Sequence, residues 1–212
     1  MLQLVDLAPK SLDSYADIVG REELARLREL ARPLRGARVC HINATSYGGG
    51  VSELLRSVIP LYRALEIRAD WRIIPGTVEF FKVTKSFHNA LQGARMELTE
   101  EARDVYLRHS QRIADLLGSG YDYIVVHDPQ PAALRALHGR DGARWVWRCH
   151  IDTSEPNQEV LRFLTAFLLE YDALVFTMEE FIPSGLEHPH IVVIPPGIDP
   201  LSPKNMGLPG EL

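Results

Sequence analysis

A chain of 212 residues, 46% hydrophobic and 24% charged, is long enough for one α/β domain with a proper core and short for two. Its formal net charge is −5, with Lys and Arg scattered among acids, which disfavours non-specific binding to nucleic acid. No apolar run approaches the roughly 20 residues of a membrane helix, and Met1 to Lys10 lacks the basic-then-apolar pattern of a secretory signal, so a cytoplasmic protein without membrane contact is expected. The only two cysteines, Cys40 and Cys149, sit in apolar strand-like runs and read as buried reduced thiols. No Cys/His spacing suggests a metal site.

Residues 1–35 read as a helical preface, because Asp17 to Arg32 places Ile18, Leu24, Leu27 and Leu30 at helical spacing among charges. Pro33 and Gly36 break it. A regular alternation follows. Ala37 to Asn43 predicts a strand, Val51 to Leu65 an amphipathic helix, and Ala69 to Ile74 a second strand ended by Pro75-Gly76. Thr77 to Leu91 reads as a short helix plus loop. Thr99 to Leu117 predicts a long helix capped by Thr99, with Glu100 and Glu101 at its positive end. Tyr121 to His127 carries the continuous run Tyr123-Ile124-Val125-Val126 of a parallel strand buried on both faces. A helix over Pro131–Leu137, a strand over Arg144–Cys149, a helix over Glu155–Glu170, and strands over Ala173–Phe176 and His190–Ile194 complete the series. Strands alternating with helices imply an α/β fold with a doubly wound, parallel, Rossmann-like sheet over residues 36–200. Residues 201–212 read as the start of a linker, with nothing there that closes a domain.

Between the first predicted strand and its helix lies Ser46-Tyr47-Gly48-Gly49-Gly50. Glycines permit positive φ and close approach of a ligand to the backbone. The helix behind them offers free N–H groups and a positive dipole end, a combination that suits a phosphate. The turn is neither G-x-G-x-x-G nor a P-loop, and a bare strand-to-helix corner is the competing reading of Gly48, Gly49 and Gly50.

Ligands of doubly wound sheets bind beyond the carboxyl ends of the strands. Three predicted strands end in polar residues: His41-Ile42-Asn43, His127-Asp128-Pro129, and His150-Ile151-Asp152. Asp128 can accept hydrogen bonds from sugar hydroxyls, or cap a helix ahead of Pro129. His150 can bond a hydroxyl or support positive charge at an anomeric carbon. His127 reads as a histidine bonded locally at its strand end. Lys82 to Asn89, including Lys85 and His88, reads from its residues alone as a solvated helix face, and Glu179-Glu180 as the first turn of a helix.

Several separate stretches, in one order, resemble a known family. Ile42-Asn43-Ala44-Thr45-Ser46-Tyr47-Gly48-Gly49-Gly50-Val51-Ser52-Glu53, Phe80 to Gly93, Val126-His127-Asp128-Pro129-Gln130-Pro131, Arg148-Cys149-His150-Ile151-Asp152, and Pro195 to Asn205 are similar to the amino-terminal domain of the trehalose synthases and retaining trehalose phosphorylases of glycosyltransferase family four. The resemblance implies half of a two-domain GT-B enzyme that joins a nucleotide-activated glucose, UDP- or ADP-glucose, to free glucose. No further cofactor and no metal are implied, and a homodimer is compatible with the group. The glycine turn Gly48, Gly49 and Gly50 would lie by the donor phosphates, Asp128 would contact glucose hydroxyls, and His150 would lie against the transferred glucose. Asn43, Lys85 and His88 would line the acceptor side with Asp128. Retaining chemistry of this kind lets the departing phosphate take the acceptor proton, so its stabilisation is the main electrostatic task. The family draws its donor-binding basic pair from a second domain, which this sequence lacks, so the chain alone is expected to turn over little or nothing. Phosphorolysis of trehalose and a non-catalytic sugar-binding module are the alternative functions.

Overall fold

The computed structural model describes residues 1–139 and 141–205; residues 206–212 of the expected linker lie outside them. Seven strands form one sheet in the order β1-β3-β2-β4-β5-β6-β7. Strand β1 (Gln3–Leu4) pairs antiparallel with β3 (Arg68–Ile73), and the other pairings, through β2 (Arg38–Asn43), β4 (Tyr123–His127), β5 (Arg144–Arg148), β6 (Ala173–Phe176) and β7 (Ile191–Val193), are parallel.

The amino-terminal segment is more broken than a single helix. A 3₁₀ turn over Leu12–Tyr15 precedes α1 (Ala16–Val19) and α2 (Arg21–Ala31), and Gly20, at φ 82°, separates the two. Leu12 and Ala31 pack with Val39, Leu65 and Ile67 on one face of the sheet. Helix α3 (Gly50–Ala64) lies on that same face, where Leu55 and Ile59 cover Ala69 and Trp71. The opposite face holds the main core. Alternation along β2, β4 and β5 sends Cys40, Ile42, Ile124, Val126, Trp145 and Trp147 into it, against α5 (Glu100–Leu116), α6 (Leu134–His138) and α7 (Gln158–Leu168).

The segment 77–91, expected to be a short helix and a loop, is one continuous helix, α4 (Val78–Leu91). Thr77 caps it by accepting the Phe80 N–H, and Phe80, Thr84, Phe87 and Leu91 form a buried stripe at helical spacing. The lysines that made the segment look solvated lie off that stripe. The expected helix over 131–137 begins three residues later, at Leu134, because residues 130–133 form turns first. Both cysteines are buried and free, and burial pushes the Cys40 thiol up to about 12.

Asp199, beyond the last strand, is a hub. Its carboxylate accepts hydrogen bonds from Lys10 Nζ, Tyr15 Oη (2.9 Å), Ser57 Oγ (2.7 Å) and the Leu201 N–H (2.9 Å). Burial alone would raise its pKa, but these donors outweigh that and hold it at about 2. The folded carboxyl is then a stronger acid than the unfolded one, so its stabilisation is complete above about pH 4 and fades as pH falls towards 2. Asp199→Asn is expected to destabilise the fold by about 1–3 kcal/mol at neutral pH. Its deficit in melting temperature, followed by calorimetry against the parent, should shrink between pH 4 and pH 2.

Candidate functional site

The chain leaves β2 for β3 on one side and later returns to place β4 on the other side of β2. The winding reverses between β2 and β4, and the crevice beyond the carboxyl ends at such a point is where open α/β sheets bind ligands. The polar ends of β2, β4 and β5 meet there.

From β2 the chain passes into the glycine turn. Gly48 and Gly49 take φ values of 66° and 79°, conformations that cost a side chain steric strain. The turn is braced locally. Thr45 Oγ1 accepts the Tyr47 N–H (3.1 Å), Ser52 Oγ donates to Gly48 O (2.5 Å), and Arg56 donates to Ser46 O (2.8 Å). No side-chain hydrogen bond caps the start of α3 at Gly49. A Cβ added at Gly48, Gly49 or Gly50 would meet open space.

Asp128 follows β4 with φ 63°, a left-handed conformation that is uncommon outside glycine. The structure excludes the helix-cap reading: α6 starts at Leu134, and the Asp128 carboxylate instead accepts the backbone N–H of His150 (2.9 Å). Trp147 Nε1 donates to the Asp128 carbonyl (3.0 Å), and the Asp128 N–H donates to Arg148 O. The bend is thus held from β5. Burial raises the Asp128 pKa to about 6, partly opposed by the His150 N–H and by Arg148.

His127 is not bonded locally. Its Nδ1 meets His150 Nε2 at 2.8 Å and its Nε2 meets His41 Nδ1 at 2.9 Å. Alternation places His41 and His127 on the face under α3, and parallel pairing of β2 with β4 brings them together. Burial and the neighbouring Arg148 guanidinium lower all three pKa values, with a further contribution from neighbouring rings at His41 and His127: His41 to about 3, His150 to about 4, and His127 well below its ordinary value. From the sequence, His41 was named at a strand end and Arg148 beside His150, but neither was given a role of its own. The available signal was a histidine inside an otherwise apolar parallel strand, which cannot stay without a partner.

The remaining expected residues divide. Asn43 is buried and committed to scaffold contacts: its Oδ1 accepts from Trp71 Nε1 (2.7 Å) and its Nδ2 donates to Thr45 O (2.8 Å). It shapes the turn. Lys85 is exposed and His88 half-buried, one helical turn apart on α4. The last turn of α4 packs on the segment leading away from β5, where the Asn157 N–H donates to Ala90 O (2.8 Å). The expected helix start at Glu179-Glu180 is a 3₁₀ turn over Glu179–Phe181. Among the described residues no cluster of His, Cys, Asp and Glu could hold a metal ion, and no helix is long and apolar enough to cross a membrane.

Comparison with known proteins then gives the setting. The family described as "Trehalose synthase, N-terminal domain" matches residues 41–183. The trehalose synthase of Rubrobacter xylanophilus is 52% identical, aligned over 98% of this chain and 51% of that protein. That of Pyrococcus horikoshii is 46% identical over 94% and 48%. A trehalose phosphorylase of Pleurotus pulmonarius is 26% identical over 93% of this chain and 30% of that one. A trehalose-6-phosphate synthase from E. coli, solved with UDP-2-fluoro glucose bound, superposes with a TM-score of 0.56 at 17% identity, over 77% of this chain and 50% of that one. That likeness is one of fold, the GT-B arrangement. The chain spans about half the length of the trehalose synthases it matches.

A raised carboxyl pKa means that the folded chain binds this proton more tightly than the unfolded one, so Asp128 costs stability as pH rises from about 4 to 6. Asparagine keeps the acceptor for the His150 N–H and tolerates positive φ. Asp128→Asn is therefore expected to raise stability by about 1–2 kcal/mol at pH 7.5. Paired urea titrations should show the gain vanishing between pH 6 and pH 4.

Proposed function

The chain belongs to the trehalose synthase family, matched through its amino-terminal domain, and we propose that it forms the acceptor side of a retaining glucosyltransferase that makes trehalose from a nucleotide-activated glucose and glucose. The observation that carries this reading is the convergence at the β2/β4 crevice. The uncapped start of α3 supplies N–H donors for a phosphate. The half-buried Asp128 supplies a carboxylate for glucose hydroxyls, and the carboxylate's own bond to the His150 N–H sets the ring of His150 beside it. Lys85 and His88, on α4, extend the acceptor wall. Asn43 serves by holding the turn rather than by touching sugar.

In this reading the departing phosphate draws its stabilisation from preorganised N–H dipoles and takes the proton of the incoming hydroxyl, so no strong base is required of these residues. The histidines are weak bases here, and Asp128 loses its proton near pH 6. The synthase direction is favoured over phosphorolysis by the higher identity to synthases, 52% and 46% against 26%. A cytoplasmic location accords with a nucleotide-sugar substrate.

Calorimetric titration with glucose tests the acceptor assignment: Asp128→Ala should weaken binding about tenfold, the loss of one charge-assisted hydrogen bond. Unchanged affinity would remove Asp128 from the acceptor site. Gly50 has an ordinary φ and open space at its Cβ position, so Gly50→Ala should fold normally. In a chain carrying both halves of the cleft it should raise the KM for the nucleotide sugar by about tenfold or more, through intrusion on the phosphate. The 212-residue chain alone should form no trehalose from nucleotide-glucose and glucose; measurable product would overturn the half-site reading.

A further inference from the structure

Beneath His150 the structure holds a chain of imidazoles that the proposed chemistry has not yet used. The ring centroids of His41 and His127 are 5.2 Å apart, and those of His127 and His150 are 5.1 Å apart, with planes tilted by only 24° and 23°. These separations match an N···N contact of 2.9 or 2.8 Å plus two ring radii. The rings therefore meet edge to edge in nearly one plane, not face to face, and each N···N contact is an in-plane hydrogen bond.

A neutral imidazole carries one N–H and one bare nitrogen. In a chain of neutral rings every proton must then point the same way, and the choice at one end fixes the other. Burial and Arg148 keep these rings neutral at physiological pH. Two arrangements exist. In one, each ring carries its proton on Nδ1; in the other, on Nε2. The ends are unequal. His41 Nε2 is buried with no partner among the described residues, whereas no described residue bonds His150 Nδ1, which is not sealed from solvent. A proton on His41 Nε2 would be a buried orphan N–H, the rarer and costlier defect; a bare nitrogen there is the lesser one. At the rim either form can be solvated.

We propose that His41 and His127 are positioning residues that lock His150 in its Nδ1–H form, so that the ring presents a fixed hydrogen-bond donor to a sugar oxygen at the crevice. This rests on the reading that His150 faces the sugar, but its structural half can be measured without substrate. A fixed donor suits a hydroxyl or ring oxygen of the transferred glucose, and it excludes His150 as a base acting through Nδ1, since that nitrogen has no lone pair to offer.

The test is nitrogen NMR on the chain with ¹⁵N-labelled histidines. Long-range ¹H–¹⁵N correlation should show Nδ1–H, with bare Nε2, for His150, His127 and His41 from about pH 6 to 8. Scalar coupling between nitrogens should appear across both contacts. A proton on His150 Nε2, or a fast-averaged mixture, would overturn the proposal. In His127→Ala the vacated space admits water, and His150 should relax until its Nδ1–H form is the minority. In His127→Asn the amide can replace the lost donor, and the Nδ1–H form should persist. Failure of the alanine variant to shift the tautomer would equally overturn the lock, and the asparagine variant remains readable if the alanine variant does not fold. In a chain carrying both halves of the cleft, His127→Ala should lower kcat by about tenfold or more with KM changed less than about threefold, with recovery in His127→Asn. A locked tautomer together with an unaffected kcat in His150→Ala would instead refute the contact with sugar and leave the imidazole chain standing.

Discussion

Strands β2 and β4 lie side by side although α3, β3, α4 and α5 separate them in the chain. The glycine turn, the strained Asp128 and the histidine chain all depend on that pairing. The seam brings His41 within reach of His127, and β5, next in order, adds His150 and Arg148. Without the seam, the buried rings of His41 and His127 would lose each other as partners, at a cost of several kcal/mol. With it, His41, His127 and His150 bond one another in series, and the last ring of the series lies at the crevice.

The same seam explains the division of labour between the faces. On the main core side, β2, β4 and β5 present only apolar residues, including Trp145 and Trp147, against α5, α6 and α7. On the α3 side the carboxyl halves of these strands turn polar: Asn43, His41, His127 and Arg148. Three of these are buried, and each is tied to another strand, Asn43 by way of Trp71. Rigidity is the result. The rim groups are placed by hydrogen bonds from neighbouring strands, which suits a site that must stabilise charge without rearranging.

Much of this was legible in the residues themselves. Continuous apolar runs such as Tyr123 to Val126 marked the parallel strands, and the glycine triplet marked the turn. What stayed hidden depended on register. His41 and His127 are 86 residues apart, and nothing local says that β2 will pair with β4. Asn43 looked like a ligand contact because its two engagements, with Trp71 and Thr45, need the folded sheet to be seen. Strand β1 has two residues and no alternation to detect. Helix α4 was obscured by Lys82 and Lys85, whose charges drew attention away from the apolar stripe on the opposite face.

The hub at Asp199 has a mechanical consequence. Ser57, one of its donors, sits on α3, and Lys204 reaches Glu53 on the preceding turn of the same helix at 2.9 Å. The strand-exit segment 199–204 is therefore riveted to α3 at two successive turns, and α3 begins at Gly50. The segment where the chain leaves the sheet is anchored to the same helix whose first turn carries the glycine turn, which sets the two beside each other at one end of α3.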